Sequence, residues 1–263
     1  GRPILGNKRV VEKTSRKELL KFMQNYYTTD NLIISAAGNL SHNRLVSLSK
    51  KFFRHLPEKS RKTDRGTPEI KPRAKVKYHP CEQVYLCMGG KGITQTDKNK
   101  YKYFVLDSIL GGSMSSRLFQ EIREKRGLAY SVSSFLSSFH DCGVIGIYAG
   151  TNRQNVKEVI TLIREILKDI RENGVSREEL MRAKEHIKGT IYLALETTSN
   201  RMIRLVKSEL FHGRLIPHEE IIEKIDKVTR KDVKKMAKLY LDPEALKPVI
   251  LGPVRRRALK GII

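Results

Sequence analysis

Apolar positions recur along the chain with two different periods, and the switches between them mark out its elements. In "SRKELLKFMQNYY" (15–27) they fall at helical spacing, and Ser15 with Glu18 three residues on forms a capping box. "NLIISAAG" (31–38) is a short unbroken apolar run, the mark of a buried strand, and "SHNRLVSLSKKFFRHL" (41–56) returns to helical spacing. From 56 to 74, "LPEKSRKTDRGTPEIKPRA" is rich in proline and charge and poor in apolar residues, so a linker is expected at 58–74. Beyond it the pattern predicts a strand at 83–88, helices at about 97–110 and 115–126, strands at 129–137 and 143–150, and a helix at about 154–172. Ser176 with Glu179 then caps a long helical stretch running past Glu196, followed by two shorter helices and a last strand, "PVILG".

One internal similarity stands out at a constant offset of 214 residues. When 15–38 is laid over 229–252, Arg16, Lys17, Lys21, Tyr26, Leu32 and Gly38 meet Arg230, Lys231, Lys235, Tyr240, Leu246 and Gly252, without a gap. The second copy closes a stretch of about 180 residues, whereas the first begins fourteen residues into the chain. The pattern predicts the tail of one domain followed by a whole sister domain.

Charge changes this picture little. The net charge of +24 suggests an anionic partner such as nucleic acid, a membrane surface or an acidic peptide. The excess is spread out, however: 18 Lys and Arg stand against 6 Asp and Glu in 1–75, and 34 against 22 in 76–263. No aromatic RNA-binding signature or zinc-finger spacing accompanies it, so neither nucleic acid nor a membrane is expected as partner. At 39% hydrophobic residues the chain can bury a core, and no apolar run has the length of a bilayer span. The amino terminus lacks the layout of a secretory signal, and three cysteines (Cys81, Cys87, Cys142) make no disulfide framework, which together point to a reducing, cytoplasmic setting.

Candidate chemistry is sparse. Seven histidines show none of the paired spacing that a hydrolytic metal site needs; Glu185–His186 and His218–Glu219 come nearest and suit polar helix positions. Gly111 and Gly112 follow the helical run "YFVLDSIL" as a helix C-cap, and lack the further glycines and lysine of a phosphate-cradling loop. Arg123 lies in a charged run that suits a solvated helix face, and Tyr130 could be a packed aromatic with its hydroxyl at the surface. Gly127 between them ends the helix, so both donors can reach one place, where they would suit a carbonyl oxygen gaining charge.

The segment "LGGSMSSRLFQEIREKRGLAYSVSSF", with "GRPILG", "RAKEHIKGTIYLALETTSNRM" and the closing "VTRKDVKKMAKLYL…VILG", resembles the M16 family of zinc metallopeptidases: pitrilysin, insulin-degrading enzyme, the mitochondrial processing peptidase and their short bacterial, two-domain relatives. The resemblance implies an α+β fold with an antiparallel-rich mixed sheet packed by helices. It assigns 1–57 to the last part of the catalytic domain and 75–263 to a complete second domain. The family's His-x-x-Glu-His zinc motif lies upstream of the part similar to "GRPILG", so zinc is expected only in the full-length enzyme and this chain alone should be inactive. Arg123 and Tyr130 match an arginine and a tyrosine, seven residues apart, that the second domain supplies to substrate at the zinc site. Gly111 and Gly112 match the place of a glycine-rich loop, in a short form closer to the peptidase type, and are expected to meet substrate. The implied partners are a peptide, the missing catalytic segment, and a second copy or homologous subunit. Two other readings remain open: an inactive binding or scaffold subunit of the same family, and a basic module for nucleic acid or anionic surfaces.

Overall fold

The computed structural model describes residues 3–61 and 66–263; residues 62–65 of the expected linker lie outside the described residues. The chain divides into two compact units, Gly1–Gly66 with Thr197–Leu210, and Thr67–Glu196 with Phe211–Ile263.

The first unit contains α1 (Lys8–Lys13), α2 (Arg16–Tyr26), a 3-10 turn (Thr29–Asn31) and α3 (His42–Phe53). Helix α2 starts where the capping box places it: Ser15 Oγ accepts the Glu18 N–H, and Glu18 Oε2 accepts the Ser15 N–H at 2.7 Å. Its apolar residues find no core. Among described residues 3–61 only Thr28 is buried, while Phe22, Ile33, Ile34 and Phe52 are all exposed. The expected strand at 31–38 is a correction. Leu32 has extended dihedrals (φ −119°, ψ 125°), but 32–37 form no ladder, because the described residues of this unit include no strand to pair with.

The second unit is built on a five-stranded sheet. Its strands are β1 (Lys75–Tyr78), β2 (Val84–Lys91), β3 (Ala129–Ser138), β4 (Gly143–Thr151) and β5 (Lys247–Gly252), in the order β1-β5-β2-β4-β3. Only β1 with β5 is parallel; the other neighbours are antiparallel, giving a mixed sheet. Side chains alternate between the faces: Val84, Leu86 and Met88 are fully buried, whereas Tyr85 is exposed. Strand β1 escapes the sequence pattern because "KVKY" at a sheet edge is mostly exposed and polar.

The helices of the chain continue with α4 (Lys100–Leu110), α5 (Val156–Glu172), α6 (Arg177–Ala194), α7 (Thr198–His212), α8 (His218–Asp226) and α9 (Arg230–Tyr240). In α5, Val156, Val159, Ile160, Ile163, Leu167 and Ile170 recur every three or four residues and are all buried, so one stripe of the helix enters the core. They join Leu106 and Leu110 of α4, Val233 and Met236 of α9 and the buried faces of β2, β4 and β5 in one cluster. Each such fully buried aliphatic contributes roughly 1.5–3 kcal/mol relative to exposure.

Two helical expectations need correcting. The long stretch past Glu196 is two helices, since α6 ends at Ala194 and the Thr197 hydroxyl accepts the Asn200 N–H, capping α7 as a new start. The helix expected at 115–126 is a π-helix over Phe119–Glu124, in which the Lys125 N–H bonds back to the Gln120 carbonyl. Among the described residues no helix is long and apolar enough to cross a membrane.

The repeat is visible in three dimensions. Helices α2 and α9 are each 11 residues long and each begins with a complete capping box. Gly38 and Gly252 share unusual positive dihedrals, φ +147° and +156°. The copies differ beyond the helix: 247–252 is a central strand, 33–38 is none.

Candidate functional site

The π-helix is anchored at its start by Arg117. Its guanidinium grips Glu179 with two hydrogen bonds (2.6 and 2.8 Å), donates to the Gly174 carbonyl at 3.0 Å and pairs with Asp169. Hydrogen bonding to Glu179 raises the Arg117 pKa; burial alone would raise that of Glu179, but the bonds from Arg117 and the Ser176 amide outweigh it and hold the carboxyl low. Ile122, fully buried, pins the middle of the turn.

On the solvent side of that turn the charges are shared unequally. Lys125 Nζ and Arg126 Nη1 both bind the Glu121 carboxylate, at 2.5 and 2.6 Å, and Arg126 also donates to the Glu121 carbonyl. The hydrogen bond from Lys125, then that from Arg126, holds Glu121 below the usual carboxylate range. Arg123, whose side chain is 45% exposed, reaches only Glu124, at 4.0 Å, and lies over the Phe119 ring at 5.0 Å from its centroid. Its donors are thus left largely free.

The chain leaves the turn through Gly127. At φ +62° this residue sits in the left-handed region, where a Cβ is unfavourable, although nothing lies within 4 Å of where a Cβ would be. Ala129 pairs with Thr151 and Ser131 with Gly150, so the β3–β4 register shifts at Tyr130. Tyr130 is the extra residue of a bulge, 58% exposed, its hydroxyl donating to Asn152 Oδ1 at 3.4 Å. The π-helix and β3 pack against each other, so the Arg123 turn and the Tyr130 bulge belong to one corner of the unit.

Gly111 and Gly112 end α4, both N–H groups donating to the Asp107 carbonyl at 2.9 Å. The Gly111 carbonyl accepts the Ser134 N–H on β3, and a Cβ at 111 would stand 2.3 Å from that nitrogen. A side chain would force the loop off the strand. Ser134 Oγ donates to Asp107 Oδ1 at 2.6 Å, while burial pushes the Asp107 carboxyl up. The two glycines therefore secure the outer edge of the strand that presents Tyr130.

Among the described residues no three His, Cys, Asp or Glu side chains come together in a way that could hold a metal ion, and Cys81, Cys87 and Cys142 are free thiols. Two features escape the sequence pattern. Asn152 meets Tyr130 only through the β3–β4 register, and Phe119 sits under Arg123 within a helical form that the sequence reads as α.

The family model described as "Peptidase M16 inactive domain" matches residues 13–187, more than half of the chain. A Bacillus subtilis protein named as an uncharacterized zinc protease is 36% identical over 247 residues, covering 94% of this chain and 60% of that protein. A Streptomyces coelicolor protein of the same designation is 35% identical, covering 97% of this chain and 57% of the relative. The chain thus spans about three-fifths of the length of the curated relatives it matches. Among solved structures, an M16 inactive domain from Pseudomonas fluorescens superposes with a TM-score of 0.85 at 22% identity, over 95% of this chain and 60% of that one. On sequence and fold together, the chain belongs to the M16 peptidase family and has the α+β fold of that family's inactive domain.

Proposed function

We infer that this chain is the substrate-positioning part of a zinc-dependent endopeptidase acting on peptides or small unfolded proteins, and that Arg123 and Tyr130 donate hydrogen bonds to the peptide carbonyl under attack. The observation that carries the reading is the unequal sharing of charge on the π-turn: Glu121 takes up Lys125 and Arg126, while Arg123 stays open beside a bulged Tyr130. Exposed hydrogen-bond donors held by irregular backbone are what a developing oxyanion requires. Gly111 and Gly112 enter this reading as the strut that holds β3, one step removed from the substrate.

Zinc does not fit the residues present, because the described residues offer no ligand cluster. In this reading its ligands belong to the part of the full-length protein that the relatives' greater length represents. The first unit would be the tail of that catalytic domain, a view supported by the repeat and by a strand-like segment, 33–38, with no ladder. Its exposed apolar residues would be covered by the missing segment, and a second copy or a homologous subunit would complete the assembly.

The test is turnover of a peptide by the full-length protein. Arg123→Ala and Tyr130→Phe should each lower kcat about a hundredfold, the usual loss for an oxyanion donor, with zinc content and Tm unchanged. Lys125→Ala is the control and should stay near wild type. Equal losses at all three positions would return Arg123 to the solvated face. A full-length protein with neither zinc nor turnover would make this a binding subunit instead.

A further inference from the structure

Asn152 stands where β4 runs into the turn before α5, and its backbone is tied to the strand that bears Tyr130. Thr151, fully buried, donates its hydroxyl to the Leu128 carbonyl, and Asn155 Nδ2 reaches the same carbonyl at 3.4 Å. The Asn152 carbonyl in turn accepts the Asn155 N–H at 3.1 Å. Leu128 lies two residues before Tyr130, so one carbonyl fixes the approach of the two side chains. The Asn152 side chain is itself exposed, and its Oδ1 accepts the Tyr130 hydroxyl at 3.4 Å.

A phenol has one proton to give. While that proton rests on Asn152 Oδ1 it is not offered to a peptide carbonyl, but an amide carries a donor as well as an acceptor and can serve the phenol oxygen from either end. We propose that Asn152 is a positioning residue for Tyr130. Its Oδ1 holds the hydroxyl proton when no peptide is bound; when the proton turns onto the substrate carbonyl oxygen, the amide rotates and Nδ2–H donates to the phenol oxygen. The proton stays on the phenol throughout. A hydrogen bond received at the phenol oxygen polarises the O–H and strengthens it as a donor, and the bulge leaves Tyr130 exposed enough to make the change.

The inference rests on the reading of Tyr130 as a substrate donor, and a double-mutant cycle tests the two separately. In the full-length enzyme, with a fluorogenic peptide as substrate, Asn152→Leu should lower kcat about five- to tenfold with little change in KM, the range of one hydrogen bond. Asn152→Asp should lose at least as much, because a carboxylate accepts the proton but cannot donate in return. In the Tyr130→Phe background neither change should matter by more than about twofold. If Tyr130→Phe is impaired while the Asn152 variants turn over normally, or if Asn152→Asp keeps the wild-type rate, the role assigned to Asn152 is wrong. Losses of the same size in both backgrounds, with a lowered Tm, would make Asn152 a turn residue only. If Tyr130→Phe itself turns over normally, the reading of Tyr130 fails and this inference with it.

Discussion

The guanidinium carbon of Arg123 lies 5.0 Å from the centroid of the Phe119 ring, four residues earlier on the same π-helix. The ring gives the charged group a place to rest without occupying its donors, which an ion pair would do. A cation–π contact at a partly exposed site is worth about 0.5–1 kcal/mol. In the full-length enzyme, Phe119→Leu should therefore lower kcat/KM about three- to fivefold, Phe119→Tyr should restore it, and the effect should vanish in an Arg123→Ala background. Peptide kinetics on the four proteins decide the matter; an undiminished loss in the Arg123→Ala background would mean that Phe119 acts through packing alone.

Two glycines at this corner should respond differently to alanine. At Gly127 the cost is conformational, since φ is +62° and the space is open, and about 1–2 kcal/mol is expected. At Gly111 the new Cβ meets strand backbone at 2.3 Å, so the loop must move, and a cost of about 3 kcal/mol is expected. Denaturant melts of this chain should rank Gly111→Ala below Gly127→Ala, and Gly127→Asn should recover part of the loss. The reverse order would contradict the geometry.

Acid should weaken the second unit partly through Asp232. Burial pushes its carboxyl up, but hydrogen bonds from Lys102, at 2.6 Å, and from Thr229 outweigh this and hold the pKa down at about 2. A carboxyl depressed on folding stabilises above its unfolded value, 3.8, and that contribution is lost as pH falls through about 2. Asp232→Asn should lower Tm by about 2–4 °C at pH 6, and the gap to wild type should close on approaching pH 2. A gap that persists at pH 2 would assign the stabilisation to something other than the carboxylate.

Hydrogen exchange should separate the two repeat copies. Residues 247–252 are paired on both sides, with β1 and β2, whereas 33–38 have no ladder. Peptide-level exchange of this chain should show the former protected for long times and the latter exchanging within seconds. Adding the missing catalytic segment should then protect 33–38; if it does not, the first unit is not the tail of a shared domain.

What the sequence by itself determined is whatever depends on residues close together along the chain. The capping boxes at Ser15, Ser176 and Thr229 all form, because cap and partner lie three residues apart. The stripe of α5 and strands β2, β3 and β4 come from periodicity, and the repeat announced two matching helices. Arg123 and Tyr130 were legible as donors on either side of a glycine. Tertiary structure decided the rest. Whether 33–38 becomes a strand depends on a neighbouring ladder, which its own residues cannot supply. The turn around Arg123 is a π-helix whose ends are held from a distance: Arg117 is bound to Glu179 and Asp169, more than fifty residues away. Asn152 reaches Tyr130 only because a bulge shifts the β3–β4 register by one residue, and register is set by pairing between strands, which no local pattern encodes.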